Sequence, residues 1–368
     1  MVTARADHGG GPEHVLRLVE SLPEGIEAVI AAPREAPYWE RFGEVVGGAN
    51  LIEIPKRRVT LQAWLALRRE VIVRRVDIIH SHGKGAGVLA RPLKLATAAK
   101  IVHTFHGVHI GDYGAAQRQA YLALERALSL LTDAAISVSP SERDEIVALR
   151  LIPAQRLHVI CNGVRIPSAT ASPVRTGEPF RVVAVVRYRS QQKNPELVLE
   201  IAESLRALAP EQLFEFHLLG GGDGLAEFRE LVERRDLSQT VRPLGFVDQP
   251  LDVMRTAQVF LSTSRWEGMP IALLEAASLG LPIVATNVAG NRDCVVDGVT
   301  GHLFTLNHCA AAAEHLATFA REPARRNEMG TAARHLVEHE FSAASMAERT
   351  VQLYRKLLRP AGQDTDRS

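Results

Sequence analysis

Apolar positions along this chain fall into two patterns, short β-branched runs and longer stretches with an apolar residue every three or four positions. In the first half the short runs lie at residues 27–31, 51–54, 76–80, 100–105, 134–138 and 157–160. Between them, residues 61–74, 114–131 and 141–149 carry apolar side chains at helical spacing. A continuous apolar run of this length predicts a strand buried on both faces, and the 3.6-residue period predicts a helix with one buried face. The second half repeats the scheme, with strands predicted at 181–186, 214–219, 241–244, 259–262 and 282–285. Strands alternating with helices predict a parallel sheet covered on both sides. Only residues 2–6 precede the first glycine run, so either the chain begins inside its first strand or that strand is short.

The junction between the halves is IPSATASPVRTGEP, residues 166–179, whose Pro, Ser, Thr and Gly content marks a linker. The expected organisation is a domain over 1–165, the linker, a domain over 180–340, a helix over 341–358 packing back on the first domain, and a polar tail over 359–368. The fold class is α/β, two doubly wound Rossmann-like domains facing across a cleft. Ligands of such sheets bind at the carboxyl ends of the strands.

At 368 residues the chain exceeds what one core usually serves, which agrees with two domains. A net charge of +1 excludes a strongly basic nucleic-acid binder and an acidic disordered chain. The charge is uneven, because residues 51–100 hold eleven Lys/Arg against Glu53, Glu70 and Asp77. Two readings stand for this stretch, a solvated helix face and contact with an anionic lipid surface. Cys161, Cys294 and Cys309 form no CxxC pair and leave one odd, which argues for a reducing compartment. No apolar run reaches a membrane span and the amino terminus lacks the character of a signal peptide, so the expected location is cytosolic, peripheral at most to the inner membrane face.

The strongest chemical signal is the string Arg265-Trp266-Glu267-Gly268-Met269-Pro270-Ile271-Ala272-Leu273-Leu274-Glu275-Ala276. It follows a predicted strand and opens a helix with Pro270 in its first turn. Gly268 lets a ligand approach the backbone, free amides at the helix start attract an anion or a hydroxyl, and two carboxylates can accept from a polyol. A second constellation, Val186-Arg187-Tyr188-Arg189-Ser190-Gln191-Gln192-Lys193-Asn194, offers the fixed cations a diphosphate needs. Gly9-Gly10-Gly11 lies between a strand and a helix, where amides can close on phosphate or sugar. Gly83-Lys84-Gly85 lacks P-loop spacing. Among fourteen histidines no H-E-x-x-H or Cys/His cluster has metal spacing, so no metal site is expected.

These residues resemble the retaining GT-B glycosyltransferases of family 4, whose signature is E-x7-E. The likeness extends through HGGGPEHVLRL, DIIHSHGKGAG, VHTFHGVH, the NGV at 162–164, LGGGDG and LGFVDQ. The resemblance implies a transferase taking a sugar from a nucleotide diphosphate donor, with UDP the commonest base, to a glycan or lipid-linked acceptor of cell-surface polysaccharide or glycoconjugate synthesis. It places Glu275 on the donor ribose, Glu267 and the Gly268-Met269-Pro270 backbone on the donor sugar, and His106 beside that sugar. Arg187 and Lys193 hold the diphosphate, with Arg189 a rival for the arginine. Gly10 and Gly11 face the donor, and Gly245, Phe246 and Val247 grip the base. His80 and His82 are candidates to line the acceptor cleft, and 220–224 to border the nucleotide. The donor loop at 287–293 has Ala289 and Asp293 where the family carries a glycine and a glutamate. No cofactor and no metal are implied, because the two cations take the metal's place. Two rival readings are a sugar-nucleotide epimerase or hydrolase of the same fold and a non-catalytic nucleotide-sugar-binding protein.

Overall fold

The computed structural model describes residues 1–56, 58–108, 113–171, 178–188 and 191–359. Arg57 of the basic stretch, His109, Arg189, residues 172–177 of the predicted linker and nearly all of the predicted tail lie outside them. The chain forms two compact units, Met1–Gly163 with Ala343–Ser368 and Val164–Ser342.

In unit 1 the order is β1 (Val2–Thr3), α1 (Gly10–Glu20), β2 (Ile30–Ala32), α2 (Tyr38–Val46), β3 (Leu51–Glu53), α3 (Leu61–Val73), β4 (Ile78–His82) and α4 (Gly83–Ala90). There follow β5 (Lys100–Thr104), α5 (Ala115–Ser129), β6 (Ala134–Ser137), α6 (Pro140–Ala148) and β7 (Leu157–Val159). Unit 2 continues with β8 (Phe180–Val185), α7 (Glu196–Leu208), β9 (Phe214–Leu219), α8 (Leu225–Arg234), β10 (Val241–Gly245), α9 (Pro250–Arg255) and β11 (Val259–Ser262). It closes with α10 (Ile271–Ser278), β12 (Ile283–Thr286), α11 (Ala289–Arg292), β13 (Gly301–Phe304), α12 (Cys309–Arg321) and α13 (Pro323–Glu340). The last helix, α14 (Ala343–Leu358), belongs to unit 1.

Among the described residues unit 1 holds a seven-stranded sheet in the order β3-β2-β1-β4-β5-β6-β7, and unit 2 a six-stranded sheet in the order β10-β9-β8-β11-β12-β13. Every recorded pairing within both is parallel. Each order runs 3-2-1-4-5-6 from its own first strand, with β7 added at the far edge in unit 1, so each sheet has one reversal, between β1 and β4 and between β8 and β11. At such a reversal the crossover helices leave to opposite faces and open a crevice at the strand ends. Both faces of each sheet are apolar, as a doubly covered sheet requires. Val182, Ala184, Phe216 and Leu218 pack on Leu197, Ile201, Leu316 and Phe319 in unit 2. In unit 1, Leu18, Val102 and Ile136 pack on Met346, Ala347, Leu353 and Tyr354 of α14.

Several expectations need correction. The first strand is short, two residues, as one of the two alternatives had it, whereas the run at 27–31 contributes only Ile30 and Ala31 to β2, where pairing with β3 begins at Ile30. β13 was not anticipated: it is short, and its first residue sits so close to β12 that a Cβ on Gly301 would lie 2.0 Å from the Ile283 carbonyl oxygen. Pro270 is not in the first turn of α10 but caps it, with φ −77° and ψ 105°, since its extended ψ ends the preceding loop. Gly83-Lys84-Gly85 forms the start of α4. A Cβ on Gly85 would sit 2.9 Å from Ala4 Cβ, and one on Gly87 would sit 2.8 Å from Arg91 Nη2. Close packing, not ligand approach, accounts for those two glycines. Arg91 leaves the basic surface altogether: it is 1% exposed and paired with the equally buried Glu125 at 2.8 Å. Of the rest, Lys94 is tied to Asp133 and Arg74 to Glu70, while Arg58, Arg68, Arg69 and Arg75 are exposed. No helix among the described residues is long and apolar enough to cross a membrane.

Candidate functional site

At the reversal of unit 2 two loops leave neighbouring strand ends and are stitched together. The loop after β8 carries Arg187, Gln192 and Lys193, and the loop after β11 carries Thr263 to Pro270. Arg265 N donates to Gln192 O at 2.7 Å, Thr263 Oγ1 donates to Lys193 O at 3.0 Å, and Arg265 Nη2 reaches Asn194 Oδ1 at 3.1 Å. Asn194 adopts a left-handed φ of 44°, a conformation asparagine tolerates better than most residues. This frame brings Lys193 Nζ within 2.7 Å of Glu267 Oε1. Ser264 Oγ donates to the same oxygen at 2.7 Å, and Gln192 Nε2 to Oε2 at 3.3 Å. The Glu267 side chain is 7% exposed, so its burial is offset by three donors, one of them charged.

Below this carboxylate the chain is packed backbone to backbone. A Cβ on Gly290 would lie 2.7 Å from Gly268 O and 2.8 Å from Glu267 O and Cβ, so only glycine lets α11 approach. Asn291 is buried beside it and donates to Thr286 O at 3.0 Å, while Thr286 Oγ1 donates to Ser264 O at 2.5 Å. Glu275 lies half-buried on α10, with Gly268 and Met269 in the loop before Pro270. Arg187 is exposed at the end of β8. The glycines at 220–222 fit under that strand end. A Cβ on Gly220 would stand 2.0 Å from Val186 O, and one on Gly221 would stand 2.2 Å from the Phe246 ring. Gly245, at φ 78°, turns the chain after β10 and leaves Phe246 62% exposed beside a half-buried Val247.

The corresponding reversal in unit 1 is built from imidazoles. His82 ends β4, His14 lies in the first turns of α1, and His106 follows β5. His106 has φ 60°, an uncommon backbone state for a residue with a Cβ, and Gly107 follows at φ 98°. The turn is held by Glu142, a buried carboxylate that accepts from Gly107 N and, at 2.6 Å, from Val138 N. Glu142 is placed by an S-x-x-E cap, since Ser139 Oγ accepts from Glu142 N at 3.1 Å. His82 Nδ1 and His106 Nε2 are 3.2 Å apart, and His14 Nδ1 is 2.8 Å from Asn162 Oδ1. Burial pushes His14 down to about 4, against the Asn162 hydrogen bond that raises it. Burial first, and neighbouring imidazoles second, push His80, His82 and His106 well below the ordinary range. Burial and then the Arg91 charge do the same to His103. All five are neutral at pH 7.

Gly10 is exposed and Gly11 half-buried at the start of α1, where a Cβ on Gly11 would meet nothing within 4 Å. Of the predicted set, unit 2 brings Lys193, Glu267 and the Gly268-Met269-Pro270 loop together, and unit 1 brings His106 to His82. His80 does not line a ligand surface: it is 1% exposed and hydrogen-bonded through both nitrogens. His14, Glu142, Ser264, Gln192 and Gly290 went unremarked as site residues. Only the S-x-x-E cap and the glycine of NVAGNRD carried a local signal. Local ligand spacing does not reach the three converging histidines, for one ring nitrogen of each of His14, His82 and His106 lies within 4.8 Å of those of the other two.

Two parallel 3-2-1-4-5-6 sheets, one with paired carboxylates and cations at its reversal, define a two-domain Rossmann-like GT-B protein. The family described as "Glycosyltransferase Family 4" matches residues 8–166, and "Glycosyl transferases group 1" matches residues 170–336, so the two matches together take in nearly the whole chain. The chain belongs to the group 1 glycosyltransferases of the GT-B fold, and it is a transferase. It is similar to the alpha-maltose-1-phosphate synthase of Mycolicibacterium smegmatis, 27% identical over 95% of this chain and 96% of that protein. It is also similar to the UDP-Gal:alpha-D-GlcNAc-diphosphoundecaprenol alpha-1,3-galactosyltransferase of Escherichia coli, 25% identical over 70% of this chain and 69% of that protein. In fold it is similar to Anabaena HepE crystallised with UDP-glucose, with a TM-score of 0.83 at 18% identity over 96% of this chain and 99% of that one.

Proposed function

We propose that this chain transfers a sugar, with retention at the anomeric carbon, from a UDP-sugar to a hydroxyl of a glycan or lipid-linked acceptor, and needs no metal to do so. The observation that carries this reading is the juxtaposition of Lys193 and Glu267 at 2.7 Å at the reversal of unit 2. In the free protein the carboxylate holds the ammonium. On donor binding Lys193 turns to the diphosphate with Arg187, and Glu267 is released to accept from sugar hydroxyls. As the bond from the anomeric carbon to the diphosphate oxygen breaks, negative charge grows on the leaving group, and two fixed cations stabilise it there. The acceptor hydroxyl forms the new bond at the same carbon and passes its proton to the leaving phosphate, so no protein base and no covalent nucleophile are assigned. Glu275 accepts from the donor ribose, and Gly245, Phe246 and Val247 hold the base.

UDP is supported by the HepE complex, and a lipid-linked acceptor by the name of the galactosyltransferase relative. A lipid surface is supported by α3, whose Leu61, Leu65, Ile72 and Val73 are exposed among Arg68, Arg69 and Arg75. The deciding experiment is donor consumption in excess EDTA with and without acceptor, after a panel of nucleotide sugars has been screened for thermal stabilisation. Acceptor-dependent release of nucleotide diphosphate in EDTA is expected. Consumption without acceptor favours the hydrolase or epimerase reading, binding without turnover favours a regulator, and loss of activity restored only by Mg²⁺ or Mn²⁺ refutes charge compensation by Arg187 and Lys193.

A further inference from the structure

Five histidines, four of them buried and His106 half-buried, lie near the strand ends of unit 1, and their hydrogen bonds divide them. His80 is engaged on both sides, with Tyr354 Oη 2.5 Å from Nδ1 and Thr104 Oγ1 2.7 Å from Nε2. His103 Nδ1 is 2.9 Å from Ser81 Oγ. The other three converge instead on one another. Asn162 Oδ1 accepts from His14 Nδ1, so the proton of that neutral ring sits on Nδ1 and its Nε2 carries a lone pair. His82 Nε2 is buried with no hydrogen-bond partner, and His82 Nδ1 stands 3.2 Å from His106 Nε2. With Nδ1 facing His106, the outer Nε2 is left to carry the proton of the neutral His82 ring.

We propose that His14, His82 and His106 form a binding site for a divalent transition ion that prefers imidazole, Zn²⁺ being the type. Zn–N bonds of about 2.0–2.1 Å in a tetrahedron set the ligand nitrogens about 3.3 Å apart. The His82–His106 separation already has that value, and the 4.8 Å limit on the remaining nitrogens leaves about 1.5 Å for side-chain adjustment. Three protein nitrogens leave the fourth position open. The surroundings are those of a ligand set. Asn162 fixes the His14 tautomer, as outer partners of metal-bound imidazoles do. Glu142, through Gly107 N, holds the left-handed turn that presents His106. Mg²⁺ and Ca²⁺ require oxygen ligands, which distinguishes this site from any that would serve a diphosphate. Where the transfer reading is also right, an ion here withdraws His106 from the donor sugar and so inhibits turnover.

The test is spectroscopic. Metal-stripped protein titrated with Co²⁺ should develop the intense visible bands of a four-coordinate ion at one equivalent, and Zn²⁺ should bleach them. His82→Ala and, separately, His14→Gln should lose the bands, each checked for an unchanged melting temperature without metal. Asn162→Ala keeps all three ligands and should weaken Co²⁺ about 10–100-fold. The double variant His335→Ala/His339→Ala removes a surface pair of stacked histidines on α13 and should leave the bands intact. Absence of the bands, or their persistence in His82→Ala and disappearance in the α13 variant, overturns the site. Zn²⁺ bound at one equivalent without slowing transfer overturns the inhibition and the placing of His106 at the sugar, and leaves the metal site standing.

Discussion

At the reversal of unit 1 the strand ends carry buried neutral imidazoles, whereas at the same point of unit 2 they carry an ammonium, a guanidinium and two carboxylates. The topology is common to both, so the crevice comes with the fold and its chemistry comes from the loops that line it. The two linings also differ in how they tolerate water. Lys193 keeps 23% of its side-chain surface exposed while bonded to Glu267, whereas His82 and His14 are 5% and 3% exposed as residues. A charge that has to meet a phosphate needs a partner it can exchange. An imidazole kept neutral needs only exclusion from solvent.

Acid should break this comparison most visibly. In the folded state His14 is lowered to about 4, and His80, His82, His103 and His106 are lowered too, all below the 6.5 of an unfolded chain. The folded state therefore binds fewer protons than the unfolded one below pH 6.5. Its stability is full above that value and falls as pH drops toward 4, by up to about 1.4 kcal/mol per pH unit for each imidazole. His217, His302 and His315 of unit 2 are lowered as well but are only partly buried. Hydrogen exchange followed from pH 7 to pH 5 should show unit 1 opening first. Equal loss of protection in both units refutes the contrast.

Unit 1 does hold a fully buried charge pair, Arg91 with Glu125, and it is structural. Glu125→Ala leaves Arg91 charged and unpaired at 1% exposure, which should cost about 3–5 kcal/mol in denaturant unfolding. The matching experiment in unit 2 should cut turnover and spare stability. Lys193→Ala is expected to lower kcat about a hundredfold with an unchanged melting curve, and normal kinetics in the folded variant remove Lys193 from the diphosphate.

The two carboxylates of unit 2 sharpen the picture further. Glu275→Gln should weaken nucleotide diphosphate about tenfold by calorimetry, as loss of a charged hydrogen bond does, with little change in kcat. Glu267→Gln should lower kcat while nucleotide diphosphate binds as before or more tightly, because Lys193 is freed of its competing carboxylate. The reverse pattern exchanges the two roles. The smallest effect belongs to the surface of unit 1. Sedimentation with acidic vesicles should exceed that with neutral ones and fade as salt rises, each basic residue adding about 1 kcal/mol. Equal binding to both returns Arg58, Arg68, Arg69 and Arg75 to a solvated face.

How much of this was legible depended on sequence distance. Glu267 and Glu275 are eight positions apart on one loop and helix, so their string was readable, as were Arg187 and Lys193 on the neighbouring strand end. The meeting of Lys193 with Glu267 was not, because it joins residues 74 apart through the pairing of β8 with β11. His14, His82 and His106 come from three separate elements, and no rule of local ligand spacing reaches across them. Arg91 read as surface charge because its partner Glu125 lies 34 residues away on α5. β13 was missed for a different reason: a four-residue strand of glycine, histidine and two apolar residues has almost no pattern of its own.

The return of α14 to unit 1 has a consequence for synthesis. Unit 2 is continuous from Val164 to Ser342 and has all its parts once it leaves the ribosome. Unit 1 does not: Leu18, Val102 and Ile136 await Met346, Leu353 and Tyr354, and His80 awaits the Tyr354 hydroxyl. The first unit to be translated is thus the last to be finished. At about 5–20 residues per second its uncovered apolar strip stays open for roughly ten to forty seconds while unit 2 is made. A chain that stops at Ser342 should therefore leave unit 2 folded and unit 1 in the hands of chaperones.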